Sequence, residues 1–327
     1  MKAIICPKYG PPSVLELKEV ATPTPTDNEV LMRVHAASAN PADWHLLRGE
    51  PFLVRLMGFG LLRPKNKILG ADVAGRIESV GKNVNQFRPG DEVFGDISSS
   101  GFGAYAEYVC ASENALVMKP RNLSFEEAAA VPLAALTALH ALRDKGQVHA
   151  GQKVLINGAS GGVGTFAVQI AKFFGAEVTG VCSARNLGLV RSIGADTVID
   201  YTHEDFTKSE QRYDLILAVA GDDSIFDYKR ALSQDGICVF VGGSMASIFQ
   251  AMILGPWISA TGSKKMRFLS SHPDQQDLVF LKELIESGKV KPVIDRRYPL
   301  SEVAQALTYL QEGHARGKVV ITVEQGA

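Results

Sequence analysis

The chain has 327 residues, and at ~150 residues per domain that length points to about two domains. Apolar residues make up 46% and charged residues 21%, close to the averages of ordinary globular proteins, which excludes a disordered chain, a disulfide miniprotein and a coiled coil. The 34 Lys and Arg against 35 Asp and Glu leave a net charge of −1, so there is no whole-chain basic excess for wrapping nucleic acid or coating an anionic membrane, and only local basic patches remain open. The opening segment, MKAIICPKYG, breaks at Pro7 and Gly10, and its apolar part is too short for a signal peptide. Cys6, Cys110, Cys182 and Cys238 lie far apart without a CxxC pair, which argues against a disulfide framework or a structural zinc site. An intracellular, cytoplasmic and reduced protein is expected.

The first third reads as strands and turns. Val30, Met32 and Val34 alternate with polar or small neighbours, and Pro and Gly punctuate at Pro11-Pro12, Pro23, Pro25 and Pro89-Gly90. Asp72 to Val80 and Glu92 to Gly95 have the pattern of short strands in a partly antiparallel β domain. Near Ser124 the pattern changes: Ser124, Glu126 and Glu127 suit a helix N-terminus, and an Ala-rich helix runs on through Leu142 with an interruption at Pro132. From Lys153 onward buried-strand runs alternate with helical runs. The strands are Lys153–Asn157, Glu177–Cys182, Thr197–Tyr201, Tyr213–Ala220 and Ile237–Val241, with helices such as Val163–Phe174 and Leu187–Ile193 between them. Regular βαβ alternation implies a parallel sheet with helices on both faces.

No charged residue occurs from Gly236 to Ser263, longer than the ~18 apolar residues that flag a membrane span. The stretch includes Gly242, Gly243, Ser244, Gly255 and Pro256, so a strand, a Gly turn and a short helix from Met245 to Leu254 fit it better, and no stable membrane insertion is expected. Such an apolar helix suits a pocket lining or a subunit contact. After Lys265 come a strand, a helix (Gln275–Ser287), an extended piece (Val293–Tyr298), a helix (Glu302–Gln311) and a last strand (Lys318–Val323). This tail does not continue the βαβ series neatly, so it is expected to fold back onto the first domain. The domain boundaries are therefore 1–123 plus 265–327 for the outer domain and 124–264 for the inserted one.

Strand Lys153–Asn157 leads into Gly158-Ala159-Ser160-Gly161-Gly162-Val163-Gly164, and a helix opens there. The match to a dinucleotide fingerprint is Ala159-x-Gly161-x-x-Gly164, and its strand–turn–helix context inside a βαβ unit gives it weight. Gly161 lets the backbone approach a pyrophosphate, the helix N-terminus at Gly162 and Val163 supplies N–H donors, Gly164 allows close helix–strand packing, and Ser160 adds a possible donor. A tight turn with no ligand is the alternative. An NAD site would carry an acid about 20 residues on. Here Val181-Cys182-Ser183-Ala184-Arg185-Asn186 holds none, and Ser183 with Arg185 can bond to a 2′-phosphate, which favours NADPH. Asn186, Ala220, Val241 and Gly242 are further cofactor candidates. Arg185 as a solvated helix-start residue is the plain reading.

The chain resembles the zinc-free quinone oxidoreductase branch of the medium-chain dehydrogenase/reductase superfamily over nearly its whole length. The resemblance rests on MKAIICPKYGPPSVLEL, Asn40-Pro41-Ala42-Asp43, Gly70-Ala71-Asp72-Val73-Ala74-Gly75 with Val80-Gly81, and Arg88-Pro89-Gly90-Asp91-Glu92-Val93. Gly103-Ala104-Tyr105-Ala106-Glu107-Tyr108, the segment Ala130–Ala138, the Gly-rich turn and Gly313-His314-Ala315-Arg316-Gly317-Lys318 complete it. It implies an α/β fold in which a Rossmann doubly wound parallel sheet is inserted into a mainly-β GroES-like catalytic domain, and a homodimer. Where zinc relatives place Cys and His, this chain has Ala37-Ser38-Ala39-Asn40 and Gly70-Ala71-Asp72, so no metal is expected.

Without a Lewis acid, the expected chemistry is hydride transfer from NADPH to a small hydrophobic carbonyl substrate, a quinone or an activated enone, whose conjugation delocalises the arriving charge. The alternatives are an alkenal or enoyl-thioester C=C reductase and a non-catalytic NADPH-binding sensor. The resemblance places Asn40 beside the nicotinamide; an Asn in a turn before Pro41 is the bland reading. Asp43 either positions neighbours or caps a local helix. His45 stands where related reductases often carry Tyr, and either donates a proton from the cleft or is a surface or packed His. Thr137 matches a position near the nicotinamide, although a small core-helix residue would look the same. Tyr201 and Lys318 match positions at the adenosine-phosphate end, with an exposed strand-edge charge as the other reading of Lys318. From Glu50 to Lys67, Phe52, Leu53, Val54, Leu56, Met57, Phe59, Leu61 and Leu62 mix with Arg55, Arg63, Lys65 and Lys67. A flap over an apolar substrate is the preferred role, ahead of a dimer contact or a weak membrane-surface contact.

Overall fold

The computed structural model describes residues 1–52, 55–221, 223–243 and 245–324. Leu53, Val54 and Ser244, and the side chains of Met57, Met245 and Ala246, lie outside the described residues. The chain divides into two compact units, residues 1–133 with 273–287 and 292–327, and residues 134–272 with 288–291.

The outer unit is built on β strands. β1 (Lys2–Ile5) and β2 (Glu16–Glu19) form an antiparallel pair. The larger sheet centres on β3 (Glu29–Ala39), whose even-numbered residues Val30, Met32 and Val34 are fully buried, as their period of two requires. β3 pairs with β4 (Asp72–Val80), which continues to β5 (Glu92–Asp96), while β6 (Tyr108–Ser112) also pairs with β3 and β7 (Leu116–Met118) with β5. Helix α1 (Pro41–Arg48) leaves the end of β3, and α2 (Phe125–Ala129) opens with a reciprocal Ser124–Glu127 capping box. The Ala-rich stretch is broken rather than continuous: α3 (Pro132–Leu139) restarts at Pro132 and passes into a wider π-helical turn over His140–Lys145. Proline lacks the N–H that α2 would need to continue.

The inserted unit holds six parallel strands. They are β8 (Lys153–Asn157), β9 (Glu177–Cys182), β10 (Thr197–Asp200), β11 (Tyr213–Ala218), β12 (Leu232–Phe240) and β13 (Lys265–Phe268). Their spatial order, β10-β9-β8-β11-β12-β13, is the doubly wound order of dinucleotide-binding folds, with its switch point between β8 and β11. The connecting helices are α4 (Gly162–Phe173), α5 (Leu187–Ser192), α6 (Ile225–Ala231) and α7 (Met245–Thr261). Two expectations are corrected here. The strand at Lys265 does not begin a returning tail; it completes the parallel sheet, pairing Ile237 to Lys265 and Phe240 to Phe268. Helix α7 runs seven residues past Leu254, through Pro256; it buries Ala251 and Ile258, while Met252, Ile253 and Trp257 are more than half exposed. No helix among the described residues is long and apolar enough to cross a membrane.

The last segments return to the outer unit. α8 (Gln275–Glu286) buries Leu278, Leu281, Leu284 and Ile285, and Asn122 donates to the Ile285 carbonyl at 2.9 Å. β14 (Ile294–Pro299) pairs in parallel with β15 (Lys318–Thr322), and β15 runs antiparallel to β3, with α9 (Val303–Gln311) between β14 and β15 in sequence. The sheet core of this unit includes Val30, Met32, Val73, Ile77, Leu307 and Ile321, all at most 1% exposed.

Candidate active site

The turn after β8 is shaped by its glycines. Gly158 sits at φ +89°, a conformation that L side chains rarely adopt, and a Cβ there would lie 2.8 Å from that of Ala220. At Gly164 a Cβ would lie 2.1 Å from the Gly158 carbonyl oxygen, so only glycine lets α4 approach the turn. Gly161 is different. Its φ is −83°, and a methyl group added there would meet no atom closer than 3.5 Å, so neither packing nor backbone strain demands glycine. What a side chain would fill there is the space over the start of α4, where the N-cap Gly161 offers no side-chain oxygen to the first N–H groups at Gly162 and Val163.

A small polar cluster flanks this space. Asn186 is 5% exposed and donates from Nδ2 to Ser160 Oγ (3.0 Å) and Ser183 Oγ (3.2 Å). Its Oδ1 is buried without any hydrogen-bond partner, an orphan acceptor of the kind that folded proteins rarely leave. Arg185, in the short turn between Ser183 and α5, is exposed. Around the same edge of the sheet, Ala220 follows β11 and is held by its N–H to the Asn157 carbonyl (3.2 Å), while Val241 and Gly242 follow β12 and both donate to the Ala218 carbonyl. Tyr201 follows β10, is 61% exposed, and donates its N–H to the Cys182 carbonyl. Thr137 lies on α3 in the same unit, nearly buried. A dinucleotide fits these residues: an open glycine cradle, helix N–H donors, an orphan acceptor and a cation all lie at the carboxyl ends of parallel strands.

Behind the turn stands a triad that sequence reasoning missed. Asn157 donates to Tyr228 Oη (2.9 Å) and to Asp223 Oδ2 (3.1 Å), and Tyr228 donates to the same carboxylate at 3.3 Å. Burial raises the Asp223 carboxyl above its ordinary range. These groups come from β8, the loop after β11 and α6, so no local pattern announces them.

The outer unit holds a second constellation. Asn40 caps α1, and its backbone N–H donates to Asp43 Oδ2 at 2.8 Å. The same carboxylate accepts from Tyr105 Oη (2.9 Å), and Asp43 Oδ1 accepts from the Gly70 N–H (3.2 Å). The Asn40 side chain donates to Asp72 (2.9 Å) and accepts from Lys318 Nζ (2.6 Å), while Lys318 reaches Asp72 at 3.1 Å and Ser38 donates to it at 2.7 Å. Asn40, Asp43, Asp72, Ser38 and Lys318 are all buried. Burial, opposed by the Asn40 N–H and the Tyr105 hydroxyl, pushes Asp43 up to about 7, and burial with the nearby Asp72 charge pushes Asp96 up to about 6.

Lys318 is thus neither an exposed strand-edge charge nor separate from Asn40; its ammonium joins Asn40 and Asp72. Asp43 does both things the sequence left open, capping α1 and bracing Tyr105. His45 is not joined to this cluster. It lies in the last turn of α1, stacks on Trp44 with ring centroids 3.9 Å apart, and donates from Nδ1 to the Glu50 carbonyl at 2.9 Å.

Two domain families match the chain: "Alcohol dehydrogenase GroES-like domain" over residues 26–121 and "Zinc-binding dehydrogenase" over residues 193–321. The human "NAD(P)H oxidoreductase RTN4IP1, mitochondrial" is 34% identical over 362 residues, covering 99% of this chain and 89% of that protein. The tomato (Solanum lycopersicum) "2-methylene-furan-3-one reductase" is 38% identical over 333 residues, covering 98% and 79%. The solved quinone oxidoreductase of Coxiella burnetii superposes with a TM-score of 0.88 at 34% identity, covering 99% of each chain. The chain belongs to the zinc-free quinone oxidoreductase branch of the medium-chain dehydrogenase/reductase superfamily. As a member of that branch it is an NAD(P)H quinone oxidoreductase-like enzyme that uses a nicotinamide cofactor. The second matching family carries zinc in its description, yet residues 193–321 of this chain hold a single cysteine, the buried Cys238.

Proposed function

We propose that this enzyme is an NADPH-dependent reductase that delivers a hydride to a quinone or an activated enone. The observation that carries the reading is the open cradle at Gly161, set beside the orphan Asn186 Oδ1 and followed by a segment, Val181 to Asn186, without a carboxylate. A carboxylate there would accept from a ribose 2′-hydroxyl and repel a 2′-phosphate; Ser183 and Arg185 do the reverse. Ser160, Gly161, Gly162 and Val163 would hold the pyrophosphate, Ser183, Arg185, Asn186 and Tyr201 the adenosine side, and Thr137, Ala220, Val241 and Gly242 the remainder. When bound, the dihydronicotinamide supplies the hydride.

The outer cluster holds the Asn40 carboxamide in one orientation, with one cation, Lys318, set among the carboxyl groups of Asp43, Asp72 and Asp96. Asn40 is locked on both sides, by Asp72 on its nitrogen and Lys318 on its oxygen. Asn40 is the group we assign to the surroundings of the nicotinamide, with Asp43 as a positioning residue; Lys318, buried on Asn40 and Asp72, is assigned as a second positioning residue rather than as the adenosine-phosphate contact its place in the sequence suggested. His45, stacked on Trp44 and bonded to the Glu50 carbonyl, is not assigned as the proton donor. The enone side of the reading, with C=C reduction as its second form, draws on the named activity of the tomato relative.

The test is the ratio of kcat/KM for NADPH over NADH, measured by oxidation at 340 nm with quinones and α,β-unsaturated carbonyls. NADPH preference is expected, and Arg185→Ala is expected to lower the ratio roughly tenfold or more, as for loss of a hydrogen bond to a charged group. NADH preference in the unaltered enzyme would overturn the cofactor assignment. A homodimer is proposed as its oligomeric state, to be measured by light scattering.

A further inference from the structure

Residues 51–71 contain Arg55, Arg63, Lys65 and Lys67 and no acid. Among the described residues, Arg63, Lys65 and Lys67 form no ion pair. The same segment presents large apolar side chains to solvent: Phe52 is 58% exposed, Leu56 61%, Leu61 53% and Leu62 86%. Exposed hydrophobic groups interspersed in sequence with cations are the composition of a surface that meets lipid.

From Phe59 to Lys67 the segment is held by hydrogen bonds. The Lys65 N–H donates to the Phe59 carbonyl at 2.8 Å and closes a short turn over Gly60–Pro64. Gly60 sits at φ +106° with the Arg63 carbonyl so close that a Cβ would be 2.1 Å from it, so the turn is tight and Leu61 and Leu62 form its tip. Tyr9 Oη donates to the carbonyls of Phe59 and Gly60, and the Cys6 N–H donates to the Lys67 carbonyl at 2.7 Å, which fastens both ends to the β1 region. Arg55 packs over the Tyr9 ring at 4.5 Å and donates to the Gly49 and Arg48 carbonyls. A cavity of about 570 Å3 opens beside the loop base, with Ile5, Val20, Phe102 and Val109 among its apolar lining and Glu29, Lys65 and Lys67 among its charged lining.

We infer that this loop is a docking surface for an anionic phospholipid bilayer, with Leu61 and Leu62 entering the acyl boundary and Arg63, Lys65 and Lys67 facing the lipid phosphates. Charge complementarity points to this occupant, since residues 51–71 offer four cations and no acid to an anionic surface. The binding is peripheral and reversible, because two leucines and a few cations fall far short of a spanning helix.

The experiment is co-sedimentation of the full-length protein with phosphatidylcholine vesicles containing increasing phosphatidylglycerol. Binding is expected to rise with phosphatidylglycerol and to collapse with added salt. Lys65→Gln/Lys67→Gln is expected to lower vesicle partitioning by about 25-fold, at roughly fivefold per cation near the surface. Leu61→Ser/Leu62→Ser is expected to weaken it as well, with circular dichroism and turnover of a water-soluble quinone unchanged in both variants. Absence of binding, or binding indifferent to phosphatidylglycerol, would overturn the inference. So would a dimer, seen by light scattering, that Leu61→Ser/Leu62→Ser abolishes, or a raised KM for an apolar acceptor in vesicle-free solution, which would make the loop a substrate flap. Vesicle binding needs no turnover, so its failure is distinct from failure of the reductase assignment.

Discussion

Asp43 is a carboxyl group placed where water cannot reach it, held by two backbone N–H groups and a tyrosine hydroxyl. Burial raises it to about 7, against ~3.9 in an unfolded chain. Between those values the folded state binds more protons than the unfolded one, so stability falls as pH rises from about 4 to about 7 and levels off above. Asp96, raised to about 6, adds to the fall over the lower part of that window. Asp43→Asn removes one titrating site. Urea midpoints at pH 4.5, 6.0 and 7.5 are expected to decline less steeply in the variant than in the unaltered protein, and an unchanged slope would place the proton elsewhere. Neutralising the carboxylate also sets an NH2 against its donors, so a lower midpoint overall is expected. At this scale the sequence was half legible. Asn40-Pro41-Ala42-Asp43 announces a capped helix because cap and N3 residue are three apart. Nothing local announces that Lys318, 278 residues along, completes the Asn40 carboxamide, or that Tyr105 braces Asp43.

The turn between β8 and α4 separates two uses of glycine within four residues. At Gly164 a methyl group would collide with backbone, so Gly164→Ala is expected to cost several kcal/mol, as overpacking against a fixed carbonyl does, and to lower thermal stability visibly. At Gly161 a methyl group meets nothing closer than 3.5 Å, so Gly161→Ala is expected to melt within about 1–2 °C of the unaltered protein while its NADPH dissociation constant rises by tenfold or more. Calorimetry and fluorescence titration of the two variants check both halves; equal affinity in Gly161→Ala would mean that the cradle is not used. The existence of these elements was legible from βαβ periodicity, because buried parallel strands leave continuous apolar runs. Their ends were less so. β12 starts at Leu232, five residues before the expected Ile237, because polar Ser233, Gln234 and Asp235 are carried in the strand, with Asp235 at φ +64°. β13 was missed as a sheet member because it is four residues long and contains Lys265 and Arg267, whose charges belong to an edge position with one neighbour.

At the level of the molecule, one unit is a single stretch of chain apart from four later residues, while the other is assembled from three pieces. The assembly runs through β15, which lies between β14 and β3 in the sheet order and carries the cation that faces Asp72. A chain ending at Gly317 therefore loses both a central strand and a buried counter-charge. Limited proteolysis of that truncated protein is expected to leave a resistant fragment near residues 134–272 and to digest residues 1–133, whereas survival of both units would mean that the outer sheet closes without β15. Insertion of one domain into another was legible from the alternation that begins at Lys153 and ends before the last strand; the poor fit of the tail implied its return to the first domain, but not that β15 would pair with β3. This layout also sets an order of events at the ribosome. β3 emerges early and then waits for a partner about 280 residues downstream, roughly 15–60 s at the usual pace of translation, during which the inserted unit can complete its six strands. For that interval the edge of β3 destined for β15 is bare, and Asn40 and Asp72 lack their lysine, so the inserted unit can be finished while the outer sheet still lacks one of its strands.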